Sequence, residues 1–459
     1  MTGAMWIRRR NGWLLLLGSV ALLGLLGCDR FGQDTPASTP VEEEATPQPS
    51  PTRSPEPPSS PSVDRIVYVG SDLQIYTVNP DGTDRRFISG GIQSPGADAT
   101  DGQDQFVFGW PSWSPDGTRL LFSGYSLDLA RPDAVLFTTD AQGDDLAELF
   151  ASPTGALTMV AAQSPHYALW SPDSKRVAFL AGDESGLSLY LVPGSGGEEA
   201  RLITTGAPIY LAWSGDSRSL LLHHGPDLFR VDVDTPEALF QVGAPSGGYR
   251  APAWSPKADM MAFIAAGVGG RDTLDTSRLD GSDTSSLAQT VGFVSFLWSP
   301  QGDRIAIGQS FDPTAPYVRD IRVVNIDTKE VVAVTAGETP ILAFFWSPDG
   351  SKIALVVQSA DGESLRWHVV DSRTGTTIGA ADFLPSSNLV TALSYFDQYA
   401  YSLQVWSPDS GHIVFTGALF IPGDVSDRER LISQVFVWNV EGRAPPAPID
   451  EGYLASWSN

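Results

Sequence analysis

Cys28 is the only cysteine in 459 residues, so no intramolecular disulfide can staple this chain. Basic residues are also scarce. Lys and Arg number 29 against 54 Asp and Glu, a net charge of −25 that repels a phosphate-coated partner and excludes nucleic-acid binding as a function class. Charged residues make up only 18% of the chain while hydrophobic ones reach 42%, which excludes wholesale disorder. Five histidines leave little material for a His-based metal or catalytic centre. What the chain has in plenty is Gly, 45 residues, and Pro, 35 residues, a composition of many short elements joined by turns.

The first 27 residues read as an address. Arg8, Arg9 and Arg10 precede an apolar run from Trp13 to Gly27, too short for a comfortable membrane span and typical of a secretory leader. The run ends Leu25-Leu26-Gly27-Cys28, which resembles the lipobox of bacterial lipoproteins and implies cleavage before Cys28 with lipid on its sulfur. Loss of residues 1–27, which carry three Arg and no acid, takes the net charge to −28. Residues 28–64 form a tether: nine Pro stand between positions 33 and 63 among Ser, Thr and Glu, a composition that buries no core and favours extended polyproline II. At about 3.1 Å per residue it reaches up to roughly 90 Å from the anchor.

Residues 65–459 are a repeat. The segments Trp113-Ser-Pro-Asp-Gly117, Trp170-Ser-Pro-Asp-Ser174, Trp213-Ser-Gly-Asp-Ser217, Trp254-Ser-Pro-Lys-Ala258, Trp298-Ser-Pro-Gln-Gly302, Trp346-Ser-Pro-Asp-Gly350 and Trp406-Ser-Pro-Asp-Ser410 recur every 41 to 60 residues, with a broken copy at Trp457-Ser458-Asn459. The shorter spacings match one four-stranded propeller blade. In each copy an apolar strand ends at Trp, a tight turn follows, and a second strand opens behind a basic residue, as in Arg119-Leu-Leu-Phe122 and Lys352-Ile-Ala-Leu355. The turn, basic residue and strand together resemble the WD-like repeat of TolB-type β-propellers, also found in the propellers of dipeptidyl peptidase IV relatives. The resemblance implies an all-β fold of four-stranded antiparallel blades, strands A to D from the axis outward. It leaves function open.

The two ends supply the blade count. Arg65-Ile-Val-Tyr-Val69 and the two strands after it have no A strand before them, and Gly452-Tyr-Leu-Ala-Ser-Trp457 is an A strand with no B strand after it. Pairing the C-terminal strand with the N-terminal blade closes the ring at eight blades, with seven as the alternative.

Signatures of chemistry are sparse. No Gly-x-Ser-x-Gly elbow occurs and no length remains for a hydrolase domain. His223 and His224 are neighbours on a strand and point to opposite faces, while His368 and His412 fit structural slots. Asp98, Asp101 and Asp104 lack the alternate-residue spacing of a calcium loop. No catalytic residue, metal site or cofactor is expected.

Loop length points to the working face. The A–B turns are uniformly short, whereas insertions at 90–109, 151–165 and 379–402 (D to A) and at 124–133, 309–319 and 417–433 (B to C) all rise from the opposite end of the blades. Trp110, His166, Tyr167, Tyr210, Arg250, Tyr401 and Tyr453 stand near A-strand starts on that face, with Tyr395, Phe396 and Tyr399 on the longest insertion. Aromatic residues and Arg dominate binding hot spots. The expectation is a lipoprotein held outside the cytoplasmic membrane, on the periplasmic or cell-surface side, that binds a protein, peptide or envelope polymer. A propeller enzyme of lyase or cyclotransferase type, with its site at the channel mouth, is the alternative, and a small-ligand sensor a third reading.

Overall fold

The computed structural model describes residues 64–90, 92, 106–126, 134–151, 167–183, 186–207, 209–236, 238–242, 251–257, 260–267, 272–278, 280–290, 292–310, 317–335, 339–359, 364–419 and 432–458. The strands among them form eight antiparallel blades, numbered from the N-terminus, seven of four strands and blade 8 of three regular strands with a short inner pairing at Trp406. Blades 2 to 6 are separate four-stranded sheets, and blades 7, 8 and 1 run together into one ten-stranded sheet. The protein is a β-propeller.

The ring closes as the two ends of the chain require. The last strand, Ala447–Trp457, serves two blades: its first half pairs with Gln434–Asn439 as the outer strand of blade 8, and its second half pairs with Ile66–Gly70 as the inner strand of blade 1. The register puts Ile66 opposite Trp457, Tyr68 opposite Ala455 and Val69 opposite Leu454. Beside this seam the Trp457 N–H donates to Gln404 O at 2.7 Å and the Gln404 N–H to Ser456 Oγ at 3.0 Å, tying the inner strands of blades 1 and 8.

The repeated turn has a repeated chemistry. Ser114, Ser171, Ser214 and Ser347 each donate a hydroxyl to the Asp two residues on, at 2.7 Å. Each also accepts the N–H of the residue five positions on, at 2.9 Å, so one side chain holds both ends of the hairpin. In blade 6, where Gln301 replaces the Asp, Ser299 reaches Asp303 instead. The repeat Trp then joins blades: the indoles of Trp213, Trp298, Trp346 and Trp406 donate to the carbonyls of Leu169, Ala253, Leu297 and Phe345, the residues just before the Trp of the preceding blade. The basic residue behind the turn also reaches the next blade. Arg304 lies 5.0 Å over the Trp346 ring and donates to Gly350 O.

Sequence alone suggests that turns ending in Ser rather than Gly are strained or differently shaped. They are not differently shaped. Ser174, Ser217 and Ser410 sit at φ of 61, 61 and 59°, beside Gly117 at 68° and Gly350 at 67°. Three of these hydroxyls work across the seam: the N–H of Asp116, Asp173 and Asp349 donates to Ser174, Ser217 and Ser410 of the following blade. An interblade hydrogen bond offsets the cost of a side chain at positive φ. Ala258 lies outside the described residues.

The segment 379–402 is a correction to the sequence reading, which places it as an open connection between blades 7 and 8. The outer strand of blade 7, Thr377–Pro385, is long, and its end pairs with the second strand of blade 8, Phe383 opposite Leu419 and Pro385 opposite Gly417. The inner strand of blade 8 resumes only at Val405, whose carbonyl accepts the Val414 N–H, and at Trp406, bridged to Ile413. That inner strand is therefore split, and residues 386–402 loop out of it as two helices, α1 (Ser387–Ser394) and α2 (Phe396–Tyr399). Gly417 is needed at the split, because a Cβ there would lie 2.0 Å from Leu384 O.

Candidate functional site at the channel mouth

The helical insert begins at Ser386, buried at the split. Its hydroxyl accepts the Leu389 N–H at 3.1 Å as the N-cap of α1, shares a hydrogen bond with Thr416 Oγ1 at 2.9 Å, and donates to Tyr453 O on the inner strand of blade 1. Leu389, Ala392, Leu393, Phe396 and Tyr399 follow at helical spacing and are all buried. Asp397 is the one charged residue between 386 and 402.

These apolar groups face the inner strands around the axis. The Phe396 ring lies 4.9 Å from Phe344 and 6.4 Å from Phe345 in blade 7. Three residues on, Tyr399 lies 5.4 Å from Trp110 in blade 2 and 5.8 Å from Tyr167 in blade 3. The backbone of Trp298 in blade 6 stands beside the Tyr401 phenol. Contacts to blades on both sides of the axis mean that the chain fills its own channel at this end. A cleft between the insert and blades 1 to 3, bordered by Trp110, Ser112, Ser123, Ser402 and Leu454, has room for about one water molecule.

The residues expected on the binding face thus divide. Phe396 and Tyr399 are only 4% and 6% exposed, and Tyr167 is buried with its hydroxyl donating to Leu211 O at 2.8 Å, a strut from blade 3 to blade 4. These three pack the insert onto the ring and are not free to meet a partner. Trp110, Tyr210, Tyr395 and Tyr453 are half-buried and Tyr401 is 45% exposed. Trp110 and Tyr401 do not begin regular strands: Trp110 is the fifth residue of Phe106–Trp113, and Tyr401 precedes the resumed inner strand. Cys28, His166 and Arg250 lie outside the described residues, as do Asp98, Asp101 and Asp104.

Trp110 has an unusual backbone. It sits at φ 56° directly before Pro111, in a bulge where the pairing slips between Gly109 and Ser112. A bulky residue in the left-handed region costs about 1–3 kcal/mol and persists only where its surroundings hold it. Here the Tyr399 ring packs against the indole. The sequence carries a trace of this feature, a Trp-Pro inside a strand, since Pro removes a ladder donor.

The site is electrically quiet. Burial pushes the phenols of Tyr167 and Tyr399 well above the ordinary tyrosine range, with the Asp397 carboxylate adding to the effect at Tyr167 and neighbouring tyrosines adding at Tyr399. Burial raises Tyr125, beside the same group, to about 12. Every one of these hydroxyls stays neutral at any physiological pH. Among the described residues no group of three His, Cys, Asp or Glu is placed to hold a metal ion, and no helix is long and apolar enough to cross a membrane.

No family model matches this sequence. No curated protein matches it either. Solved structures similar to it include TolB from Acinetobacter baumannii, 14% identical over 58% of this chain and 62% of the other, with a TM-score of 0.36. They also include a putative TolB from Agrobacterium tumefaciens, 17% identical over 56% of this chain and 86% of the other, TM-score 0.35. An oligogalacturonate lyase in complex with manganese is 16% identical over 72% of this chain and 84% of the other, TM-score 0.45. The blade count and topology rest on the strand pairings themselves.

Proposed function

We propose that this protein is a lipid-anchored, extracytoplasmic binding propeller, not an enzyme, that holds a protein, peptide or envelope polymer on the face where the helical insert surfaces. The observation that carries the reading is the filled channel. Phe396 and Tyr399 occupy the place where a propeller enzyme would receive its substrate, which leaves contact at the surface as the use for the half-buried rings around them.

Asp64 and Arg65 lie beside Trp457 and Ser458, at the short-turn end of blade 1. Photoreactive side chains placed at Tyr453 and at Thr391, on the insert face, should cross-link a partner in the native envelope, and the same groups at Lys175 and Arg218, in the short turns, should not. Cross-links confined to the short turns would overturn the choice of face. Cys28→Ala should abolish lipid labelling, and normal labelling of that variant would remove the anchor from the proposal.

A further inference from the structure

Two buried polar atoms at one seam of the ring have no partner. Trp254, the repeat Trp of blade 5, is 5% exposed, and its indole N–H meets no acceptor, whereas the repeat Trp of blades 4, 6, 7 and 8 bonds to the preceding blade. In the same sheet Asp275 stands opposite Phe263, and its Oδ1 is buried without a donor. Trp254, Met261, Phe263 and Ala265 pack on Leu221, Leu228 and Val242 of blade 4, and the register puts Asp275 on that same face. We infer that this seam is a joint, at which the ring opens between blades 4 and 5 while each blade stays folded. A buried polar group without a partner raises the free energy of the closed seam, and water entering on opening supplies the missing bond.

Neighbouring seams are tied by directional bonds. Trp113 and Trp170 also lack an acceptor, but the Phe108 N–H donates to Leu73 O at 2.8 Å from blade 2 to blade 1, and the Asp116 N–H to Ser174 Oγ at 3.0 Å from blade 2 to blade 3. Between blades 6 and 7 the Trp346 indole bonds to Leu297 O, and Arg304 donates to Gly350 O and Ser372 Oγ. Among the described residues no hydrogen bond runs between blades 4 and 5. Blade 5 has Ala258 where Ser174, Ser217 and Ser410 offer a hydroxyl to the preceding blade. Arg230, opposite Leu221 on the facing side of blade 4, lies 5.4 Å over the Phe240 ring of its own blade and makes no ion pair with Asp275. What holds this seam is apolar packing, which is non-directional and parts without breaking a specific bond. On its other side blade 5 is tied, since the Trp298 indole donates to Ala253 O at 3.3 Å, so blade 5 moves with blade 6.

Thiol labelling tests the joint in the full chain carrying Cys28→Ser, where an introduced Cys is the only one. Met261 and Ile353 are both 0% exposed and stand opposite the repeat Trp of their blades, Met261 at the seam of blades 4 and 5 and Ile353 at the tied seam of blades 6 and 7. Below the melting transition Met261→Cys should react about tenfold or more faster than Ile353→Cys, with little dependence on urea because opening exposes little surface. Adding Asp275→Val removes the unpartnered oxygen and should slow labelling at 261 several-fold while leaving 353 unchanged. If Met261→Cys does not fold, Ala265→Cys against Val357→Cys, on the same two faces and each 7% exposed in the parent, gives the same comparison. Equal rates at the two seams, or a rate at 261 that climbs with urea as steeply as global unfolding, would overturn the joint. Faster labelling after Asp275→Val would overturn it too, by showing that the carboxyl group holds the seam shut.

Discussion

The indole Nε1 of Trp457 donates to Asp64 Oδ1 at 2.7 Å, joining residues 393 positions apart. The two ends of the folded region meet there, and the Arg65 N–H donates to Ser458 Oγ at 3.1 Å beside them. Closure thus depends on a strand at one end of the chain supplying the inner edge of a blade begun at the other.

Deleting residues 452–459 should lower the melting temperature sharply. The fully buried Trp457 side chain alone is a loss of about 3–5 kcal/mol, a large part of typical net stability. The cut also exposes the inner edge of Ile66–Gly70. Thermal denaturation of the truncated and complete chains checks it, and superimposable curves would mean the ring closes without this strand. Asp64→Asn should cost far less, about 1 kcal/mol or below, because an amide oxygen still accepts from the indole and Asp64 is exposed.

Substitutions at Ser217 separate two effects. Ser217→Gly removes the acceptor for the Asp173 N–H but relieves the positive φ, so the terms oppose and the net change should be small. Ser217→Ala loses the acceptor and keeps the strain, and should cost about 1–2 kcal/mol. Chemical denaturation of both variants beside the parent decides it: Ala as stable as the parent Ser would show that the interblade bond contributes nothing, and Ala as stable as Gly would show that the positive φ costs nothing.

The parts legible in the sequence were those fixed by local rules repeated many times. A Trp before a Ser-Pro-Asp-Gly turn marks an inner strand wherever it occurs, and the unpaired halves at Arg65 and Trp457 follow from counting. The insert follows no repeat. Its helical signal was present, Ser386 as a cap and apolar residues at 389, 392, 393, 396 and 399, but lay inside what the blade pattern marks as a connection. Which aromatics face the ring was not legible either, because Phe396 and Tyr395 are neighbours of like composition. Only the axis of α2 decides that Phe396 meets Phe344 while Tyr395 remains half-buried.

Acid should unfold this protein through its turns. Burial works to raise the Asp349 pKa, but the Ser347 hydroxyl and the Ser351 N–H and hydroxyl outweigh it and hold the carboxyl at about 2, below its ordinary 3.8. A folded-state value below the unfolded one stabilises fully above about pH 4, and the gain is lost as the pH falls through 2. Asp116, Asp173 and Asp409 are lowered as well. Asp349 is exposed, so solvent screening limits its contribution to about 1 kcal/mol at most. Melting temperatures should therefore drop between pH 4 and 2, with a shallower drop in Asp349→Asn. An identical pH profile for that variant would remove the turn carboxylate from the account.

The insert should behave as a firmly seated plug whose anchors are separable from its surface. Phe396→Ala removes the ring that meets Phe344 and Phe345, leaving a cavity between α2 and the inner strand of blade 7 at a cost of about 3–5 kcal/mol. The ring's own hydrogen bonds do not pass through residues 387–402, so the loss should appear first as local opening. Amide hydrogen exchange should accelerate through 387–402 and across Ile341–Trp346, while the second strands of blades 4 and 5, Ser219–His224 and Met261–Ala265, keep their protection. Ser386→Ala, which removes the cap of α1 and the bonds to Thr416 and Tyr453, should loosen the same segment by about 1 kcal/mol. Tyr395→Ala should leave exchange unchanged, because that ring is half-buried and lies outside the buried set of the insert. Uniform acceleration around the whole ring in Phe396→Ala would show the insert to be a structural member of the propeller, and the distinction drawn here between anchor and surface would fall.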